Sequence, residues 1–373
     1  MIFFPLLSCN QGYFVVFYPG KTEVHVENKH LYGVIMAGGR GERFWPLGRT
    51  DRPKQLLPLL GETTLLEESF LRLLPMFPPE NILVITNEKY VEHIREILPV
   101  PPENIIGEPV GRDTAPCVAL AAALLLKKDP EAVMVVLPAD HIIRPAKIFQ
   151  KVIANAVEEA QKEKLVTLGI TPTYPATGYG YIHAGEEVSP GFHGVLAFKE
   201  KPDHETAEIF FQSGEYRWNC GVFVWRADVI ARAMNLCCPE LGAFLEKWRN
   251  GADYRKDFAD CPKISIDYAV MEKASNVLMA DTSFFWKDVG GWKSLRSILP
   301  LDESGNAIRG KAIAIQSTNN LLISDDETML GVIGMRDVAV VKAGNGILVC
   351  PLAEEQAVKE LVAAIKTEYP DFL

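Results

Sequence analysis

Short apolar runs alternate with amphipathic stretches from Leu31 onward, and this alternation limits the folds that the chain can adopt. The apolar runs are brief and rich in β-branched residues, as buried parallel strands are. They lie at 33–36, 82–85, 133–137 and 165–168. The stretches that predict helices lie at 64–74, 88–98, 114–128 and 147–164. We therefore predict an α/β fold with a doubly wound, mixed open sheet of Rossmann-like type, which binds ligands at the carboxyl ends of its strands.

The pattern changes after Gly169. A long loop rich in Gly, Pro and Tyr occupies residues 171–181, and it is either a simple excursion or a substrate lid. Further strand-like runs follow at 195–200 and 221–225, and residues 302–306 have the composition of a linker. The β-rich runs beyond it predict one or two coils of a β-helix, followed by a closing helix at 354–366; these runs lie at 311–316, 321–324, 338–342 and 347–350.

These changes divide the chain into three parts. We expect an N-terminal extension of unclear status (1–30), a large α/β domain (31–304) and a small β-helical domain that ends in a helix (305–373). The closing helix has an apolar stripe at Val358, Leu361, Val362 and Ile365. Such a stripe must be buried, either on the large domain or on another subunit, and we expect both, which predicts a homodimer.

Composition excludes several classes of function. The formal net charge of -10 leaves no basic field for a nucleic-acid backbone. No stretch reaches the roughly 20 apolar residues of a membrane span, so we expect no membrane partner. The 7 cysteines include no Cys-x-x-Cys pair, which favours reduced thiols and a cytoplasmic protein.

A glycine cluster follows the first apolar run and contains Gly38, Gly39 and Gly41. Backbone N–H groups in such a loop can wrap a phosphate chain, and Arg43 and Lys54 can add positive charge. A tight turn explains the glycines about equally well. The loop lacks the Gly-Lys-Ser/Thr of a P-loop, and Phe44 stands where a dinucleotide-binding fingerprint needs a third glycine.

Two aspartates are candidate metal ligands. Asp140 ends an apolar run, and Asp288 follows the aromatic run at 284–286. Two hard oxygen ligands together with phosphate oxygens suit Mg²⁺. The alternatives are a helix N-cap for Asp140 and a turn residue before glycine for Asp288. We interpret His141 as structural, because a phosphate nucleophile is already ionised near neutral pH and needs no base.

Six ordered motifs carry a specific resemblance. They are Ala37-Gly38-Gly39-Arg40-Gly41-Glu42-Arg43 with Pro53-Lys54, Glu108-Pro109-Val110-Gly111-Arg112-Asp113-Thr114, Leu137-Pro138-Ala139-Asp140-His141, Phe198-Lys199-Glu200-Lys201-Pro202, Trp218-Asn219-Cys220-Gly221 and Asp288-Val289-Gly290-Gly291-Trp292. Together they resemble the sugar-1-phosphate nucleotidyltransferases, and in particular the mannose-1-phosphate guanylyltransferase branch. Residues 305–373 resemble the β-helical tail of this branch. Asp113 stands where the branch usually has asparagine.

The resemblance implies a role for each motif. The implied catalytic residues are Arg43, Lys54 and Lys201, and the implied metal ligands are Asp140 and Asp288. The implied nucleotide-binding residues are Ala37, Gly38, Gly39, Gly41, Glu108, Gly111, Asp113 and Thr114. The implied sugar-phosphate residues are Gly180, Glu200, Lys201 and Asn219. Glu108 is expected to accept the paired donors of guanine, with a solvent-exposed glutamate before Pro109 as the alternative.

The implied activity is transfer of GMP from GTP to mannose 1-phosphate, which yields GDP-mannose and pyrophosphate with Mg²⁺ as the cofactor. One alternative keeps the reaction and changes the sugar 1-phosphate to that of a heptose or glucose. A second alternative is a non-catalytic regulatory subunit that binds nucleotide sugars. Such a subunit should have lost at least one of the implied catalytic residues or metal ligands, and this chain keeps them all: Arg43, Lys54, Asp140, Lys201 and Asp288. A nicotinamide-dependent oxidoreductase is disfavoured by the glycine spacing.

Overall fold

The computed structural model describes residues 29–39 and 41–373. The predicted N-terminal extension therefore lies outside the described residues, except for its last two. Along residues 31–288 the strands are β1 (Leu31–Ala37), β2 (Ile82–Asn87), β3 (Ile105–Glu108), β4 (Val133–Pro138), β5 (His141–Arg144), β6 (Leu165–Ile170), β7 (Tyr181–Ser189), β8 (Phe192–Lys199), β9 (Tyr216–Arg226), β10 (Val277–Asp281) and β11 (Phe285–Asp288).

A nine-stranded sheet forms the centre of the protein, in the order β3-β2-β1-β4-β9-β6-β10-β8-β7. Strands β3, β2, β1 and β4 run parallel to one another, and β6 runs parallel to β10. Strand β9 is antiparallel to both β4 and β6. The predicted mixed, doubly wound α/β sheet is therefore confirmed.

Helices cover both faces of this sheet. They are α1 (Leu65–Leu73), α2 (Val91–Ile97), α3 (Thr114–Lys128), α4 (Ala146–Gln161), α5 (His204–Ser213), α6 (Ala227–Cys237) and α7 (Pro239–Arg249). Two further helices, α8 (Trp292–Arg296) and α9 (Val358–Glu368), belong to a separate core shared with the C-terminal strands. Helix α1 begins where Thr64 and Glu67 form a capping box, which satisfies two N-terminal amides. Within residues 29–39 and 41–373, no helix is both long enough and apolar enough to cross a lipid bilayer.

Burial on both faces explains why the parallel strands are apolar throughout. Leu31 and Ile35 of β1 belong to a core shared with α1, α2 and α4. Tyr32 and Val34 of the same strand belong to a core shared with α3, α6 and α7. Each fully buried aliphatic side chain contributes about 1.5–3 kcal/mol to folding.

A short ribbon outside the main sheet consists of β5 and β11, which pair antiparallel. Its register places Asp288 opposite His141. The sequence pattern did not predict either strand, because each has only four residues and lacks a clear alternation of apolar and polar side chains.

The C-terminal region is built from stacked parallel strands. They are β12 (Ala307–Arg309), β13 (Ala312–Ile315), β14 (Leu321–Ser324), β15 (Leu330–Ile333) and β16 (Val338–Ala343). The closing strand β17 (Gly346–Pro351) pairs antiparallel with β16. β12, β14 and β16 form one parallel ladder, and β13 and β15 form a second. The predicted β-helical region that ends in a helix is confirmed.

Helix α9 packs back onto the α/β region. Val358 is buried, and Val362 and Ile365 pack against a core that also contains Phe44 and Trp45 of the loop after β1. Leu361 is still 40% exposed. The stripe is therefore buried mainly within its own chain, as the first of the two expectations for this helix required.

A buried asparagine links successive coils of the C-terminal region. The Asn320 Nδ2 group donates to the Asn306 Oδ1 atom and to the Met335 carbonyl, each at 3.0 Å. The Asn320 Oδ1 atom accepts from the Val338 amide at 3.0 Å. Because the side chain is fully buried, its partners have no access to water as a replacement.

We expect Asn320→Leu to lower the free energy of unfolding by about 2–4 kcal/mol, because it leaves buried polar groups unpaired. Urea denaturation followed by circular dichroism measures this loss. Asn155→Ala, at an exposed position of α4, is the matched control and should change stability by less than about 0.5 kcal/mol. Equal stability of Asn320→Leu and the wild type would contradict the assignment.

Candidate active site

The glycine loop after β1 is packed against the segment that carries Lys54. Gly41 adopts a left-handed conformation with φ 65°, and a Cβ atom there would lie 2.6 Å from the Lys54 Cβ atom. Both features require glycine at this position. Gln55 holds the same segment in place by donating to the Ala37 carbonyl at 2.7 Å. Gly38 and Gly39 are exposed at the end of the strand, where their amides are accessible to a ligand.

Asp140 and Asp288 meet beside this loop. Asp140 follows β4, and the ribbon register places Asp288 across from His141. The Lys54 ammonium group forms an ion pair with Asp140 and lies 3.9 Å from the Asp288 Oδ1 atom. Burial lowers the pKa of Lys54, but the two carboxylates outweigh this effect and the net pKa is raised. Lys54 is therefore cationic at neutral pH.

The two carboxylates fit a divalent cation. Candidate ligand atoms of Asp140, His141 and Asp288 lie within 4.8 Å of one another. The Asp288 Oδ1 atom is buried and has no hydrogen-bond partner among the described residues. The Lys54 ammonium at 3.9 Å is too far to donate a hydrogen bond to it, so this anionic oxygen is open to a closer cation or donor. The donor set offered by the two aspartates is hard oxygen, which Mg²⁺ and similar ions prefer.

His141 is oriented by an aromatic neighbour. The Trp286 indole donates to its Nδ1 atom at 3.2 Å, so the neutral ring carries its proton on Nε2. That Nε2 atom faces the Asp140 Oδ1 atom at 3.8 Å. A protonated nitrogen has no lone pair for a metal, which supports the interpretation of His141 as a structural residue.

Arg43 completes the cationic side of the site. Its Nη1 atom donates to the Gly290 carbonyl at 3.2 Å, two residues after Asp288. Its Nε atom is buried without a partner among the described residues. The guanidinium and the Lys54 ammonium therefore both contact the segment that follows Asp288. The two fixed cations can neutralise the charge of a phosphate chain, and the two carboxylates can hold a divalent cation.

Two residues of helix α1 that sequence reasoning missed hold the backbone on both sides of Asp140. Ser69 donates to the Ala139 carbonyl at 3.2 Å, and Arg72 donates to the His141 carbonyl at 3.0 Å. These bonds flank Asp140 on both sides. Burial lowers the pKa of Arg72 to about 10. No motif marks these side chains in the sequence, because both act on backbone carbonyls of a distant strand.

Glu108 lies at the end of β3 and is only 5% exposed. Its Oε1 atom has no hydrogen-bond partner among the described residues. A Cβ atom on Gly38 would lie 3.4 Å from its Oε2 atom, so the carboxyl group borders the glycine loop. Burial raises the pKa of Glu108 to about 8, and Asp113 adds to the rise.

The segment after Glu108 leads into α3. Gly111 and Asp113 are exposed there, and Asp113 caps the helix by accepting from the Thr114 amide at 2.8 Å. Asp113 has φ 71° and ψ -173°, a conformation that side chains rarely adopt. Thr114 links the start of α3 to the segment that contains Ile266, because its hydroxyl accepts a hydrogen bond from the Ile266 amide at 2.8 Å.

The predicted sugar-phosphate residues form a second cluster. The Lys201 ammonium lies 2.8 Å from the Glu200 Oε1 atom, and most of the lysine side chain is exposed. A Cβ atom on Gly180 would overlap the Glu200 carboxylate, so any other residue there would displace that carboxylate. The Asn219 amide group is oriented by Thr167, whose hydroxyl donates to its Oδ1 atom at 2.9 Å. The cluster offers one cation, one carboxylate and one amide.

Asp267 joins this cluster and was missed by sequence reasoning. The Asn219 Nδ2 group donates to its Oδ1 atom at 3.0 Å. Burial raises the pKa of Asp267 to about 7, and the charge of Glu200 adds to the rise. Asp267 opens a π-helical turn, Asp267–Met271, whose last three residues are buried. A carboxylate at the start of an apolar run is the only signal that the sequence offers for it.

Aromatic rings connect the sugar-phosphate cluster to the metal ribbon. Tyr179 of the long loop packs against Trp218 at 5.2 Å and against Trp286 of β11 at 4.9 Å between ring centroids. Tyr174 of the same loop packs against Trp218 at 4.8 Å. The loop therefore forms a wall of the site in this structure.

Comparison with known proteins shows which family the chain resembles. The sequence profile of the family described as Nucleotidyl transferase matches residues 32–305, and that of the MannoseP isomerase/GMP-like beta-helix domain matches residues 310–365. Mannose-1-phosphate guanylyltransferase 2 of Escherichia coli O157:H7 is 37% identical over 364 residues, which cover 91% of this chain and 75% of that protein. The mannose-1-phosphate guanylyltransferase of Klebsiella pneumoniae is 38% identical over 353 residues, covering 90% of this chain and 74% of that protein.

A solved structure extends the likeness to three dimensions. The crystal structure described as a mannose-1-phosphate geranyltransferase from Thermus thermophilus superimposes with a TM-score of 0.84 at 35% identity. The match covers 90% of this chain and 99% of that one. The chain therefore belongs to the nucleotidyl transferase family, and within it to the mannose-1-phosphate guanylyltransferases.

Proposed function

We propose that this enzyme transfers GMP from GTP to mannose 1-phosphate and releases GDP-mannose and pyrophosphate. The observation that carries the proposal is the convergence of Arg43, Lys54, Asp140 and Asp288 beside an exposed glycine loop at the carboxyl end of the sheet. The names of the similar proteins support the choice of GTP and mannose 1-phosphate.

The reaction needs positioning and charge neutralisation rather than a protein nucleophile. An oxygen of the sugar phosphate attacks the α-phosphorus of GTP in line, a new P–O bond forms, and the bond to pyrophosphate breaks. Amides of the loop that begins at Ala37, with Gly38, Gly39 and Gly41, hold the triphosphate, and Arg43 and Lys54 neutralise its developing charge. Mg²⁺ held by Asp140 and Asp288 would add positive charge at the phosphate oxygens.

The second cluster orients the nucleophile. Lys201 is suited to the phosphate of mannose 1-phosphate, because its ammonium is exposed and a neighbouring carboxylate raises its pKa against the effect of burial. Glu200 and Asn219 are suited to sugar hydroxyls, as acceptor and as donor. Gly180 leaves the space that Glu200 occupies.

The nucleobase is assigned to the end of β3. Guanine presents its N1–H and 2-amino groups as adjacent donors, and an ionised carboxylate accepts both. Glu108 supplies a buried carboxyl oxygen that lacks a partner among the described residues, which supports this role. Gly111, Asp113 and Thr114 form the adjoining turn and helix start.

Free thiols support a cytoplasmic location. All cysteines of the described residues are free in the structure: Cys117, Cys220, Cys237, Cys238, Cys261 and Cys350. Burial raises the pKa of both Cys117 and Cys220, so these thiols are protonated and unreactive near neutral pH. Such thiols persist in a reducing compartment.

We also propose a homodimer, formed through the C-terminal domain, residues 305–373. Strands β13 and β15 present Ile313, Ile315 and Ile333 to solvent, with exposures of 56%, 53% and 69%. Ile315 and Ile333 are neighbours in the parallel ladder, so they form a continuous apolar surface. Helix α9 offers less, because most of its stripe is covered by its own chain. A second copy of the sheet face would cover the isoleucines.

The activity is tested by measuring pyrophosphate release over a panel of triphosphates and sugar 1-phosphates. We expect GTP with mannose 1-phosphate to give the highest kcat/KM. Lys54→Ala and Arg43→Ala should each lower kcat by about 10²–10³, because each removes a cation from the developing charge. Lys359→Ala, an exposed lysine of α9, is the control and should leave kcat unchanged. Near-native turnover of folded Arg43→Ala would contradict its role.

The metal assignment predicts a specific defect in Asp140→Asn and Asp288→Asn. Each change removes a negative charge and keeps the side-chain size, so the fold should survive while Mg²⁺-dependent kcat falls by about 10² or more. Titration with Mg²⁺ measures the activity, and Mn²⁺ binding followed by electron paramagnetic resonance measures occupancy directly. Asp371→Asn, at an exposed position near the end of the chain, should match the wild type. A wild-type Mg²⁺ curve for Asp288→Asn would show that it is no ligand.

The dimer predicts a mass of two chains by light scattering at micromolar concentration. Ile315→Glu places a charge on the proposed interface, and we expect it to yield a monomer that keeps its circular dichroism spectrum. Leu196→Glu, at an exposed leucine of β8, should remain a dimer. A wild-type chain that is monomeric at these concentrations would rule the dimer out.

A further inference from the structure

Glu108 sits in a place that disfavours its charge. Its side chain is almost fully buried, and no lysine or arginine of the described residues forms an ion pair with it. A buried carboxylate without a cation or a full set of donors is strongly destabilised relative to its protonated form. In the free enzyme, therefore, the Glu108 carboxyl group favours its protonated form at the position proposed to read the base.

The groups around Glu108 add little to stabilise its charge. From α3 the Cys117 thiol is its hydrogen-bonding neighbour, and the Asp113 carboxylate at the start of that helix opposes a second negative charge nearby. The Tyr254 hydroxyl is already used, because it donates to the Gly107 carbonyl at 3.0 Å. On the turn before α2, the backbone of Glu88 packs beside Gly107, and its exposed carboxylate lies 3.7 Å from Arg255.

Burial raises the pKa of Glu108 to about 8, which exceeds the ordinary glutamate value of 4.5. The group is therefore mostly protonated at neutral pH and becomes mostly ionised as the pH rises through this value. The protonation state of Glu108 matters because its two forms make different hydrogen bonds. The carboxylate is an acceptor at both oxygens, whereas the protonated acid is a donor at one oxygen and an acceptor at the other.

We infer that the protonation state of Glu108 selects the purine: the ionised carboxylate takes guanine, and the protonated acid takes adenine. Adenine has an acceptor at N1, where guanine has N1–H, and it has no donor at C2, so the protonated carboxyl group can donate to N1. The same acid directs its O–H at a donor of guanine, and the ionised form directs a lone pair at the adenine ring nitrogen. Each mismatch leaves a buried polar group unpaired.

The inference gives the enzyme a second activity, adenylyl transfer from ATP to the sugar 1-phosphate at lower pH. The sugar-phosphate oxygen forms the bond to the α-phosphorus of ATP, the bond to pyrophosphate breaks, and Glu108 keeps its proton throughout. With GTP the Glu108 proton leaves to solvent when the base binds. The inference rests on the proposed function, in which Glu108 reads the base.

The test is the ratio of kcat/KM for GTP to that for ATP, measured between about pH 6.5 and pH 8.5 with mannose 1-phosphate and Mg²⁺. The ratio cancels the ionisation of the phosphates, which the two nucleotides share. In the wild type it should fall by about tenfold per pH unit toward lower pH over this whole range, because it follows the ratio of ionised to protonated Glu108. Glu108→Gln carries a fixed donor beside an acceptor, so its ratio should favour ATP and stay constant with pH.

A second measurement does not depend on turnover. Calorimetric titration with GTP at pH 7, repeated in two buffers of different ionisation enthalpy, should report release of about one proton from the wild type and none from Glu108→Gln. Titration with ATP should release none from either protein.

The outcomes separate the inference from the function on which it rests. If the GTP-to-ATP ratio is the same in Glu108→Gln as in the wild type, Glu108 does not read the base and that part of the proposed function fails. If Glu108→Gln changes the ratio but the wild-type ratio is constant with pH, the base-reading role stands and the protonation switch is wrong.

Discussion

Two carboxylates beside one ammonium group organise the centre of this protein. Asp140 and Asp288 repel each other in a partly buried setting, and Lys54 compensates both charges. The pair exists because a four-residue ribbon aligns the end of β11 with the start of β5. The glycine loop, Arg43 and the supporting bonds from α1 all gather around that ribbon. A shift in its register would move one carboxylate away and leave the lysine with a single partner.

The overall architecture follows from local sequence patterns. A helix over 114–128 was expected from an alanine- and leucine-rich run, and the structure places α3 at Thr114–Lys128. Strand β14 likewise coincides with the expected run at 321–324. Both elements bury most or all of their side chains, so hydrophobic pattern and local propensity point to the same structure.

Parts of the site lie beyond such reasoning. Ordered motifs predicted the charged residues of the candidate site, including Lys201 and Asp288. Ser69, Arg72 and Asp267 went unseen because their contacts lie 69 or 70 residues away for the first two and 48 for the third. The pairing of β5 with β11 was missed for the same reason, since only the folded chain brings them together. Local patterns carry no information about which distant backbone a side chain will support.

Phe44, beside Arg43, and Trp292, just beyond Asp288, share one core with strands of the C-terminal coils and with Val358 of α9. Lys54, in turn, donates to a carbonyl 235 positions further along the chain. During synthesis on the ribosome, the residues proposed to bind the triphosphate therefore leave the exit tunnel long before the C-terminal residues that pack against them. A growing chain contains the glycine loop but lacks the C-terminal residues that pack against it. We therefore expect it to be inactive toward GTP until α9 has been synthesised.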